Sequence, residues 1–269
     1  YPGGDGGTEH LSSTVMQTRP SVFDSAGSYR GLLGLAAHEF FHTWNVKQLR
    51  PAGLKGDAGR YDYQHENYTD MLWVAEGTTS YFGGLCLARA GLTKPDDYLS
   101  SLAGWVESAR TRPGVKVQSL AESSFDAWVK LWKSWPDSGN TTVSYYDKGA
   151  WVSLLLDLEI RKRTGNKASL GSVMKEMYTE FPLSGPGYTH EDFVRMTEKV
   201  TATSFRPFFA DYVEGLKPLD FETGLDAAGL ELVHEENKGD DGVESPAAEG
   251  MKQRPYLGLS LGAQDGWAT

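Results

Sequence analysis

Two histidines four positions apart, with a glutamate beside the first, stand in the run GLAAHEFFHTWNVKQL at residues 34–49: His38, Glu39 and His42. An α-helix turns about 100° per residue, so side chains four apart share one face, one turn above the other. Two imidazoles placed in this way can grip one ion. Glu39 points partly to the same side and can reach a water there without ligating the metal. Such a pair, completed by a third protein ligand and an open position, is the arrangement of zinc-assisted hydrolysis.

The five-residue string H-E-x-x-H is common, so its surroundings decide what it means. Phe40, Phe41 and Trp44 imply a buried helix, and a buried histidine pair flanking a carboxylate needs polar partners or a metal. Glu76 offers the third ligand, 34 positions after His42 (76 − 42). It lies in MLWVAEGTTSYFGGLCLARAG, a segment apolar nearly all round, which implies packing against the metal helix. A lone carboxylate there is costly unless it is paired or ligates a cation. One zinc ion held by His38, His42 and Glu76 is therefore expected.

The elements that must position these residues follow from the pattern. The metal helix is expected over residues 28–49, closed by Arg50 and Pro51, because proline disfavours helical geometry in the residue before it. Residues 52–67 suit a surface loop, with Thr69 or Asp70 capping the second helix. Pro95 stands in the first turn of a third helix that ends near Pro113, and Ser119 or Ser123 caps the next. WPDSGNTT at 135–142 is a turn cluster. VSYYDKGAWVSLLLDLEIRKRTG begins extended and becomes a strongly apolar helix that ends at Gly165. Amphipathic segments at 169–181, 189–200 and 204–213 complete a mostly α domain with no internal repeat.

The two ends differ from this pattern. YPGGDGGTE at residues 1–9 suits a glycine-rich loop whose backbone approaches something else, followed by an edge strand at 10–18 that could pair with an extended substrate. A strand is expected near Leu230 to Val233. Residues 234–254, rich in Glu, Asp, Lys, Gly and Pro, have the composition of a linker, and PYLGLSLGAQDG after them begins another module.

Composition narrows the function. The chain of 269 residues carries a formal charge of −10 and a pI near 5.1, which disfavours nucleic acid as the main partner. The single cysteine, Cys86, excludes an intramolecular disulfide and a cysteine metal site, and packing is its expected role. No apolar run is long enough to span a membrane. The sequence starts at Tyr1 without a methionine and shows no basic segment followed by an apolar one, so it is expected that a signal was removed or that this is a fragment, and the compartment stays open. His65 and Glu66 are expected on the surface, and His10, His190 and His234 fit no second metal pattern. Met174 and Met177 are expected in the core.

HEFFHTWNVKQLRP followed by WVAEGTTSYF resembles the glycyl aminopeptidase family, gluzincin peptidases related to the aminopeptidase N family. GGTEHLSSTV at 6–15 resembles the family's Gly-Gly-x-Glu-His segment, and YDKG at 146–149 its Tyr-x-Lys-Gly pattern. Four motifs in the right order carry the likeness over about residues 6–233. The resemblance implies a thermolysin-like catalytic domain at 1–233, a linker at 234–254 and the start of a PDZ-like module at 255–269. It implies an N-terminal β domain in the parent protein, which this sequence would lack. It also implies zinc as cofactor, Glu39 as general base, Tyr146 as oxyanion donor with Tyr145 as rival, and Gly6, Gly7 and Glu9 as the substrate-binding segment. Glu9 would bind the free α-ammonium of a peptide whose N-terminal residue is small, such as Gly or Ala. A thermolysin-like endopeptidase and a non-catalytic peptide-binding module are the alternatives.

Overall fold

The computed structural model describes residues 4–54 and 64–233, with two short strand pieces at 263–264 and 267–268. It is mainly helical. An N-terminal antiparallel hairpin, β1 (Gly6–Glu9) and β2 (Thr14–Gln17), pairs Gly6 with Gln17 and Glu9 with Thr14. Among the described residues ten α-helices follow: α1 (Ala26–Phe41), α2 (Thr79–Arg89), α3 (Pro95–Thr111), α4 (Leu120–Phe125), α5 (Ser138–Thr141), α6 (Tyr145–Thr164), α7 (Leu170–Glu180), α8 (His190–Thr201), α9 (Arg206–Phe209) and α10 (Phe221–Asp226). Two π-helical turns lie among them, Trp73–Thr78 leading into α2 and Ala210–Glu214 following α9.

The core is built round α6. Its middle is buried on every side, Trp151, Val152, Leu155, Leu156 and Ile160 among the buried residues, as expected of a helix enclosed by others. Ser144 caps its start, accepting from the backbone N–H groups of Tyr146 and Asp147 at 3.1 and 3.3 Å, and Gly165 ends it in the left-handed conformation (φ 58°). Asp157, buried in the same helix, accepts from Tyr81, Arg161 and the Leu170 backbone, so its burial is compensated. The π turn packs along the first half of α6, and α1 packs on α2.

Several expectations hold. Pro95 opens α3, Ser119 caps α4 in a capping box with Glu122, Gly165 closes α6, and Met174 and Met177 are buried. Others are corrected. Residues 6–9 form a strand instead of a loop, because β2 pairs with them. α1 stops at Phe41 rather than near residue 49. Val46 has a positive φ of 94°, which no α-helix admits, and Asn45 turns its side chain to the next segment. Neither Thr69 nor Asp70 caps α2; the π turn starts at Trp73 without a side-chain cap, and the Trp73 N–H donates instead to Ser124 Oγ at 3.1 Å. α4, which the pattern SLAESSFDAWVKLW at 119–132 would carry on to Trp132, ends at Phe125, and residues 230–233 form no strand. α1 is not a buried helix either: Phe40 is 65% exposed and Trp44 45%, the two rings meeting edge-on at the surface, 5.3 Å apart. Cys86 is exposed. The expected linker lies outside the described residues, as does most of 255–269.

Candidate active site and metal centre

Glu39 is the one buried residue of α1, and His42, 1% exposed, follows immediately as the helix cap. The His42 N–H still donates to His38 O, at 3.2 Å, so the i, i+4 spacing of the two imidazoles survives the helix end. Glu76 comes from the π turn. Such a turn holds one residue more than the α-helical register allows, and is frequent at functional sites.

The three side chains converge. His38 Nε2 lies 3.0 Å from His42 Nε2 and 3.1 Å from Glu76 Oε2, and the third edge, His42 Nε2 to Glu76 Oε2, is 3.2 Å. Tetrahedral zinc with bonds of about 2.0–2.1 Å separates its ligand atoms by about 3.3 Å, so the triangle has the dimensions of three zinc ligands. The far nitrogens are held too. His42 Nδ1 lies 3.0 Å from Asn45 O, and His38 Nδ1 lies 3.2 Å from Ser80 Oγ, whose own proton goes to Glu76 O at 2.9 Å. With Nδ1–H donating at both rings, both Nε2 atoms present lone pairs to the same point, beside a carboxylate oxygen. Three lone pairs at this separation repel unless a cation lies between them, and the donor set of two nitrogens and one oxygen suits zinc.

Asn45 ties these parts together. It is fully buried, and its Nδ2 donates to Val74 O at 2.7 Å and to Thr79 Oγ1 at 2.9 Å, locking the end of α1 to the π turn. Burial opposes ionisation of Glu76, but the two imidazoles beside its carboxyl outweigh that and hold it at about 2. At Glu39 burial prevails, raising its proton affinity against the pull of the two histidines. Glu39 Oε2 is buried with no hydrogen-bond partner among the described residues. An orphaned carboxylate oxygen beside the ligand triangle is what a base awaiting water or substrate requires.

The triangle opens into a cleft of about 970 Å³, and Gly6, Gly7, Glu9 and Tyr146 line it. β1 crosses so closely above α1 that a Cβ on Gly7 would stand 2.2 Å from Glu39 Oε1. Any side chain there would displace the Glu39 carboxylate. The Tyr146 ring lies 6.2 Å from that of His38, and burial, then Glu76, raises its phenol above the ordinary range. Tyr145 stacks on Tyr146 but does not line the cleft; it is 3% exposed, and its hydroxyl accepts from Trp132 Nε1 at 3.0 Å. Glu9 is paired with Lys47, Nζ to Oε1 at 3.0 Å.

All eight residues singled out from the sequence thus meet at one cleft. His65 and Glu66 are exposed, and His190 pairs with Glu214 at 3.1 Å, away from it. Sequence reasoning missed Ser80, though it sits four positions after Glu76 on the same face, and it missed Trp105 and Trp132, which wall the cleft and carry no pattern that marks them.

Residues 31–152 match the M61 glycyl aminopeptidase family. No curated protein matches the chain. Among solved structures it is similar to an aminopeptidase N family protein from Idiomarina loihiensis, with 34% identity and a TM-score of 0.74 over 83% of this chain. The match spans 38% of the length of that protein.

Proposed function

The chain carries a glycyl aminopeptidase family domain, and from that premise we propose that it is the catalytic part of a zinc-dependent aminopeptidase that hydrolyses the N-terminal peptide bond of peptides. The observation that carries this reading is the triangle of His38, His42 and Glu76 beside a glutamate with an unpartnered buried oxygen.

Zinc bound there would polarise the scissile carbonyl and make water acidic enough to react near neutral pH. The chain's own residues supply the rest. Glu39 takes the proton of the attacking water on its unpartnered oxygen and returns it to the leaving amine. Its raised proton affinity suits a group that must hold that proton in between. Tyr146 keeps its phenolic proton and donates it as a hydrogen bond to the oxyanion, a contribution of about 3 kcal/mol. Glu9, at the end of β1, pairs with the substrate's α-ammonium, while Gly6 and Gly7 let the substrate backbone approach. A blocked N-terminus would leave Glu9 without that cation, which is the basis for exopeptidase selectivity. Preference for an N-terminal Gly or Ala follows from the family likeness.

The test is metal analysis of the purified chain together with hydrolysis of glycyl and alanyl anilides, with and without a chelator, beside N-acetylated counterparts. Bound zinc and chelator-sensitive cleavage of free-amine substrates are expected. Equal rates on blocked and free peptides would establish an endopeptidase instead, and zinc binding with no cleavage of either would leave only a binding module.

A further inference from the structure

Glu9 faces two spaces. One is the main cleft; the other is a smaller recess behind it, of about 320 Å³, which Lys47 lines and to which Glu76 also contributes. Lys47 does not line the main cleft. It reaches Glu9 Oε1 from behind, at 3.0 Å, with the two side chains only 11% and 21% exposed. An ion pair on an open surface contributes little, but one this enclosed fixes the geometry of both partners.

The backbone that delivers Lys47 is strained. Val46, a β-branched residue 4% exposed, has a φ of 94°, a strained conformation that persists only when its surroundings impose it. The turn is pinned by Val46 N–H to Leu49 O at 2.8 Å and Lys47 N–H to His42 O at 3.1 Å. Asn45, on the same turn, carries the carbonyl that orients His42. The segment just after α1 therefore serves both the metal ligand and the carboxylate above it. The hairpin that bears Glu9 is otherwise exposed, every residue of β2 and the first three of β1 lying open.

We propose that Lys47 is a specificity-determining positioning residue: by pairing with one oxygen of Glu9 from the rear recess, it aims the carboxylate into the cleft at the substrate's α-ammonium and tethers the β1–β2 hairpin over Glu39. It acts through Glu9 and does not touch the substrate. This rests on the aminopeptidase reading above.

The experiment compares wild type, Glu9→Gln, Lys47→Met, Lys47→Arg and the double variant Glu9→Gln/Lys47→Met on alanyl anilide, with zinc content and thermal midpoint recorded for each. Lys47→Met is expected to raise KM about tenfold, with kcat changing less than about threefold. Lys47→Arg should recover most of the loss. The double variant should be no worse than Glu9→Gln alone, because a residue that works through Glu9 has nothing left to position. Should Lys47→Met not fold, Lys47→Gln takes its place with the same expected order. A KM close to wild type in a folded Lys47 variant, a fall in kcat alone, or additive effects in the double variant would overturn the proposal. Failure of the aminopeptidase reading looks different: wild type would then not prefer free over acetylated substrate, and Glu9→Gln would change nothing.

Discussion

Gly77 and Gly149 meet backbone to backbone: a Cβ on Gly77 would stand 2.5 Å from the Gly149 α-carbon, and one on Gly149 would stand 2.9 Å from Trp73 O. Gly77 follows Glu76, the proposed third ligand, and Gly149 lies three residues after Tyr146. This contact is what lets the π turn and the start of α6 share one wall of the cleft.

Gly77→Ala should therefore act on fold and site together. Neither backbone can yield cheaply, so a loss of about 1–3 kcal/mol in urea unfolding is expected, with weaker zinc binding because the displaced segment carries Glu76. Zinc affinity and unfolding midpoint both equal to wild type would contradict the contact.

Gly7→Ala makes the contrasting case. Its Cβ meets the Glu39 carboxylate instead of backbone, and β1 is mostly exposed. Stability should stay within about 0.5 kcal/mol, while kcat falls because the base is pushed out of place. A thermal scan paired with steady-state kinetics separates these effects.

Glu39→Gln keeps shape and removes the proposed base. Zinc content should stay at the wild-type level, and kcat should drop by about 10²–10⁴. Turnover near wild type would assign the proton transfer elsewhere.

The adjacent tyrosines should behave unequally. Tyr146→Phe removes a hydroxyl at the cleft and should lower kcat about 10²-fold with little change in KM. Tyr145→Phe loses the bond from Trp132 and should alter stability more than rate. The reverse ranking would reassign the oxyanion donor.

Lys148, 1% exposed, has its ammonium pushed down by burial from 10.5 to about 8. Below pH 8 both folded and unfolded chains hold the proton, so the full penalty of a buried charge applies. Between about 8 and 10.5 the unfolded chain binds a proton that the folded chain does not, so this residue's contribution to stability rises with pH, by about 3 kcal/mol in all. Lys148→Met should lack that rise. Urea unfolding of both proteins at pH 7 and pH 10 measures it, and parallel pH dependences would rule it out.

The convergence of the three proposed ligands was readable because its grammar is local or short-ranged: His38 and His42 one helical turn apart, and Glu76 conspicuous as a carboxylate among Trp73, Val74 and Ala75. The central helix was equally legible from its apolar run and from Gly165. What could not be read were features set by tertiary partners. The end of α1 at Phe41 depends on Asn45 finding Val74 O and Thr79 across the chain, contacts that override a helical pattern continuing to Leu49. The strand at Gly6–Glu9 exists because Thr14–Gln17 folds back onto it, and glycine-rich composition alone points to a loop. The exposure of Phe40 and Trp44 shows that aromatic residues near an H-E-x-x-H string do not by themselves bury a helix.

The π turn at Trp73–Thr78 has a consequence for how this centre can be lost. An α-helix there would place one residue fewer in the same turn, and each residue of register rotates a side chain by about 100°. Deleting a single amino acid upstream of Glu76 within the turn would let it relax to the commoner helix and swing the carboxylate round the axis, away from both imidazoles. The centre could thus be dismantled by a frame slip in one coil, with every residue that would grip the ion still encoded.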